Sequence, residues 1–141
     1  MAKNTNPIFV SQGNFTPARI AAANTASDGS GALVTLVTGS ADGTRVDGVR
    51  FRNSAAAATT SSAMQHRIFH NVGGTIRLIG EVATPAGNTR GTATNIGATS
   101  IYTFDQPILL KSGETISVCQ SAYGGAGDQF DACAFAGDYT A

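Results

Sequence analysis

QPILLKSGETISV, residues Gln106–Val118, reads as strand, turn, strand. Ile108, Leu109 and Leu110 form a short apolar run after Pro107, and Lys111-Ser112-Gly113-Glu114 is a polar turn. Thr115–Val118 then alternates, which puts Ile116 and Val118 on one strand face and Cys119 on the other. Gly113 tolerates positive φ without a Cβ clash, so the reversal belongs there. This pattern predicts an antiparallel edge of a β-sandwich.

The same grammar extends through the chain. Phe15–Ala23 is a strand candidate that sits at an edge or starts pairing only after Pro17, which has no N–H to donate. Asn24–Gly31 is a loop of turn formers, and Ala32–Thr38 (ALVTLVT) has high β-propensity. Asp42-Gly43 marks a turn. Thr44–Asn53 alternates most clearly, but Val46 and Val49 are three apart, so a β-bulge is expected near Gly48. Met64–Asn71 and Thr75–Thr84, joined at Val72-Gly73-Gly74, predict a hairpin. Ser100–Phe104 and Gln129–Ala136 complete the set. In the last strand Phe130, Ala132 and Ala134 oppose Asp131, Cys133 and Phe135. Ser54–Ala63 and Pro85–Ala98 read as loops.

About eight or nine short strands with Gly-rich turns and no convincing helix predict an all-β fold. The expected architecture is an antiparallel β-sandwich, of jelly-roll type with eight or so strands. Strand order is not derivable from the pattern. The domain organisation expected is an N-terminal arm over residues 1–14 and a single sandwich over 15–141. Within the arm, Ile8, Phe9 and Val10 form an apolar triplet in a polar tail, either a frayed end or a plug for a neighbouring subunit.

Composition narrows the function classes. The 141 residues carry 9 basic and 9 acidic side chains, which argues against bulk electrostatic binding to nucleic acid. Charged residues are 13%, well below the ~25% typical of soluble domains. The surface must therefore be built of Ser, Thr, Asn and Gly, which suits close packing on other proteins. No apolar run reaches the ~18 residues of a membrane helix, and the start lacks the apolar core of a secretion signal. A soluble product made in the cytoplasm is expected. One local basic stripe stands out. Arg50 and Arg52 share a strand face, either simply solvated or in contact with an acidic partner surface.

Candidates for chemistry are few. His66 and His70 on one strand are ~13 Å apart, too far to share a metal that needs ligands at ~2 Å. Asp128 and Asp131 flank one turn without cation-loop spacing and are expected to be solvated. Cys119 and Cys133 would face each other across a hairpin centred on Ala126, or else pack as small buried hydrophobes. No phosphate-binding loop, dinucleotide fingerprint or nucleophile elbow is present. No enzyme activity, cofactor or metal is expected.

The run ANTASDGSGALVTLVTGSADGTRVDGVRFRN (Ala23–Asn53) is similar to the start of small tailed-bacteriophage virion proteins. The hairpin at Met64–Thr84, LLKSGETISV and FDACAFAGDY (Phe130–Tyr139) look like later parts of the same pattern. The resemblance spans about residues 20–139 and rests on strand and turn motifs. It implies a jelly-roll sandwich that decorates or cements a phage capsid, as a homotrimer on the head surface. The partners it implies are the major capsid protein and further copies of the chain, with no direct nucleic acid and no membrane. No ligand-binding residue carries over. The alternative is a receptor- or carbohydrate-binding module of a fibre or spike, with Ser54–Ala63 and Pro85–Ala98 as its site.

Overall fold

The computed structural model describes residues 10–56, 59–87, 89–90 and 99–139. The strands are β1 (Val10–Gly13), β2 (Ala18–Ile20), β3 (Val34–Thr38), β4 (Thr44–Asn53), β5 (Thr59–Thr60), β6 (Met64–Val72), β7 (Thr75–Thr84), β8 (Thr89–Arg90), β9 (Thr99–Leu110), β10 (Thr115–Gln120) and β11 (Phe130–Tyr139). A 3₁₀ turn, Ala126–Asp128, precedes β11.

Two antiparallel sheets face each other. The five-stranded sheet runs β1-β11-β4-β9, with β2 also on β11, and the four-stranded sheet runs β3-β10-β6-β7. The pairings β2 with β11, β3 with β10, β4 with β9 and β6 with β7 are nested, like one long hairpin rolled over on itself. That is jelly-roll order. The short β5 and β8 pair separately, one from each stretch read as a loop.

Alternation decides which side chains meet between the sheets. Val46, Val49 and Phe51 of β4 and Phe130, Ala132 and Ala134 of β11 face Ile68 of β6 and Ile116 and Val118 of β10 in one core. The phase slip at Gly48 is real. Against β11, Asp47 is the extra residue, since Phe135 pairs with Gly48 and Ala136 with Val46. Against β9, Val46 pairs with Ile108 and Gly48 with Thr103. The two segments read around Asp105 are therefore one strand with a wide irregularity. The hairpin at Met64–Thr84 forms as expected, and both Gly73 and Gly74 take positive φ at its turn.

QPILLKSGETISV corrects the simplest reading. Its two strands do not pair with each other. β9 is the edge of the five-stranded sheet, whereas β10 lies inside the four-stranded one, between β3 and β6. The turn is where expected, with Gly113 at φ 81 and Glu114 N–H bonded to Lys111 O. It carries the chain across the ~10 Å between packed sheets. Leu110 and Ile116 are both buried, so crossing over lets each strand end face the same core. The crossing is fixed to the β3–β4 connection, where Gly39 N–H reaches Glu114 O at 2.8 Å and Gly113 N–H reaches Gly39 O at 3.1 Å.

Other readings shift more modestly. The first strand candidate shrinks to Ala18–Ile20, starting after Pro17. Within the 1–14 segment, Val10–Gly13 lies as β1 on β11 of its own chain, while residues 1–9 are outside the described ones. Cys119 sits in the four-stranded sheet and Cys133 in the five-stranded one, and both are free thiols. The segment between their strands is thus another sheet-to-sheet crossing, not a hairpin.

Asp128 is not solvated. Its carboxylate is buried and accepts bonds from Ser62 N–H at 2.6 Å, Gly124 N–H at 2.7 Å and Ser62 Oγ at 3.1 Å. Burial pushes its pKa up, but these donors outweigh burial and hold it below the ordinary carboxylate value.

A second, smaller packing layer covers the outside of the four-stranded sheet. Asn24 bonds the loop to itself, with Nδ2 donating to Ser30 O and Ala32 O and Oδ1 accepting from Ala26 N–H. Beneath this loop lie Phe69 and Cys119, both fully buried. Gly29, at φ 86, presses its backbone against the Ile76 side chain, where a Cβ would not fit.

Candidate functional site

The two sheets differ in how their outer faces are finished. The loop around Asn24 covers part of the four-stranded sheet, and Arg67 bonds back to that loop at Thr25 O. The outer face of the five-stranded sheet carries exposed apolar side chains instead. Phe15, Ile101, Leu109 and Phe135 are 54%, 54%, 62% and 41% exposed. Each strand position follows from alternation. Ile101 and Leu109 are out of phase with the inward Tyr102 and Leu110, and Phe135 is out of phase with Ala134. Cross-strand register then gathers these residues with cations. Ile101 is opposite Arg50, and Leu109 is opposite Arg45.

A groove of about 580 Å³ runs over this face, with Phe15 and Phe135 among its walls and Cys133 to Gly137 of β11 along its floor. Pro17 explains its shape. Between Ala132, which pairs with Ala18, and Gly137, which pairs with Gly13, the chain leaves β11. Proline cannot donate to the ladder, so the segment before it lifts away and Phe15 stands beside the sheet. A second pocket of about 310 Å³ adjoins the groove, sharing Arg50 and Cys133 and adding Arg52, Ser54 and Asp131.

The charges around this trench are partly self-neutralised. Arg45 binds Asp47 through Nε at 2.9 Å and Nη2 at 2.7 Å, and Asp47 raises the Arg45 pKa further. Arg19 Nε binds Asp131 at 3.1 Å. Among the described residues, Arg50 and Arg52 have no ion-pair partner. The basic strand face expected from the sequence is therefore exposed and faces the adjoining pocket. Of the arm triplet, Val10 begins β1 and lines the groove, while Ile8 and Phe9 lie outside the described residues.

The groove itself was not legible as a site. Its residues come from three stretches far apart in the chain, Val10 and Phe15, Arg45 to Arg50, and Cys133 to Gly137, and the local signal was an apolar residue at an outward strand position, as at Phe135.

His66 and His70, the chemical candidates, lie elsewhere. His66 is buried in the core, and His70 Nε2 contacts Glu114 Oε2 at 3.2 Å. Glu114 is held below its ordinary pKa first by Lys111 N–H and then by His70. Among the described residues, no group of His, Cys, Asp and Glu side chains is placed to hold a metal ion. No helix among them is long and apolar enough to cross a membrane.

No protein-family model matches the chain, and no curated protein matches it. Among solved structures, the chain is similar in fold to one described as the structure of infectious bursal disease virus Gt strain. The match has 18% identity and a TM-score of 0.30, and covers 92% of this chain and 30% of the other. The chain thus spans under a third of the length of that relative.

Proposed function

We propose that this chain is a structural virion protein that decorates or cements a phage capsid by protein–protein contacts on the head surface. Its partners in this reading are the major capsid protein and two further copies of itself, in a homotrimer. It performs no catalysis and touches neither nucleic acid nor membrane. The observation that carries the reading is the exposed apolar side chains on the five-stranded sheet's side of the molecule, with Phe15 and Phe135 lining one groove and Ile101 and Leu109 exposed on β9. Contiguous exposed apolar surface marks places where proteins meet. The low charge of the sequence and its likeness to small tailed-phage virion proteins point the same way.

Weak contacts suffice on a lattice. A subunit held at several points gains affinity from effective concentration without needing a large single interface. The triplet Ile8-Phe9-Val10 supplies one such point in this reading, and its described member, Val10, lines the groove.

Sedimentation of the protein with phage heads that lack it tests the role: saturable attachment is expected, and its absence overturns the reading. Mass measurement of the free protein tests the trimer, which a monomer at micromolar concentration would remove. Glycan binding without attachment to heads would favour the receptor-binding alternative.

A further inference from the structure

We propose that the trench on the five-stranded sheet receives an extended acidic segment of the partner protein, with an apolar side chain beside Phe135 and a carboxylate on Arg50 and Arg52. This rests on the reading of that face as a docking surface and names the chemistry of what docks.

Charge complementarity decides the occupant. Asp47 neutralises Arg45 and Asp131 neutralises Arg19. Arg50 and Arg52 are left with two positive charges on the same side of β4, in a chain of zero net charge. Residues two apart on a strand are ~7 Å apart, a span that one carboxylate can bridge or two alternate carboxylates can match. Guanidinium groups bind carboxylates through paired, directional hydrogen bonds. Ser54 lines the same pocket, and its Oγ is buried without a hydrogen-bond partner among the described residues.

The apolar half of the trench continues directly from Arg50 to Phe135 and Phe15. A segment alternating acidic and apolar residues matches both halves. A nucleic acid strand would satisfy the arginines but would set phosphates against the apolar groove. The arm of a second copy does not fit, because residues 1–14 contain Lys3 and no acidic residue.

The test is an NMR titration of the full chain with a short acetylated peptide alternating Glu and Phe. Controls are the same peptide with Lys for Glu and a single-stranded oligonucleotide. Saturable shifts at Arg50, Arg52 and Cys133–Phe135 with the acidic peptide alone are expected. Arg50→Ala and Arg52→Ala should each weaken binding about tenfold. Phe135→Ser should weaken it while leaving the amide spectrum elsewhere unchanged. Equal shifts with the basic peptide, shifts with the oligonucleotide, or no saturable shift overturn the proposal. Attachment to heads is read separately. If an Arg50→Glu, Arg52→Glu variant attaches like the parent, this inference fails and the capsid reading stands. If the parent does not attach, the capsid reading fails whatever the peptide does.

Discussion

The imidazole of His66 lies flat against the ring of Phe51, with centroids 4.4 Å apart and planes 13° from parallel. Phe130 also packs on this imidazole, with centroids 4.7 Å apart and planes tilted by 56°. β6 of one sheet thereby packs a polar ring against aromatics from β4 and β11 of the other. Nε2 lies 3.1 Å from Thr84 Oγ1, and Nδ1 is buried without a partner among the described residues. A proton on this ring would place a charge in the middle of the sandwich.

That arrangement sets a pH dependence. Burial lowers the His66 pKa from 6.5 to about 4. Below pH 6.5 the unfolded chain takes up a proton that the folded chain refuses until near pH 4. Stability is therefore full above the unfolded value and falls as pH drops through this window, by roughly 2 kcal/mol between pH 7 and 5. Urea unfolding at the two pH values measures it. His66→Phe keeps the stack and should flatten the dependence, and an equally steep dependence in that variant would refute the assignment.

Gly80 of β7 presses its backbone against an aromatic ring of the facing sheet. A Cβ there would lie 2.6 Å from Cζ of Tyr102 on β9. Gly80→Ala should cost about 1–3 kcal/mol by overpacking. Adding Tyr102→Leu should recover much of the loss, a coupling that a double-mutant cycle reads directly. Additive effects would show that the contact is not tight.

Asp128 ties the chain before β6 to the turn before β11. Asp128→Ala strands the Ser62 and Gly124 N–H groups and should destabilise the fold by roughly 3 kcal/mol. Asp128→Asn keeps one acceptor and should cost less. Denaturant midpoints for the two variants check the order. Because its folded pKa is lowered, the Asp128 contribution is present above the ordinary carboxylate range and is lost as pH falls through the folded value.

The two thiols should react at different rates. Cys119 is fully buried under the Asn24 loop, and burial raises its pKa, whereas Cys133 is half-buried on the outer face. A thiol reagent should modify Cys133 first and Cys119 only on opening of the loop. Asn24→Ala removes the three side-chain bonds within that loop and should make Cys119 reactive in otherwise folded protein. Unchanged Cys119 protection would show that the loop is held by packing alone.

Local patterning fixed much of this protein. The alternation at Thr44–Asn53 placed Val46, Val49 and Phe51 inside and Arg50 and Arg52 outside, and the three-residue step at Val49 located the bulge. Gly73-Gly74 and Gly113 marked turns because only glycine takes those φ values without strain. These features depend on neighbours a few residues away, which the chain displays directly.

What the tertiary structure alone decided is non-local. Whether the turn at Gly113 folds its strands together or sends them to opposite sheets depends on β3, β6 and β4, whose partners lie dozens of residues away. The same holds for Asp128, which looks like a loop acid until Ser62 closes on it, and for the trench, whose walls come from β1, β4 and β11. Strand partners are chosen by which apolar faces can be buried together. Only the assembled sandwich settles that, because the two-residue strand period says which way a side chain points and not what it will meet.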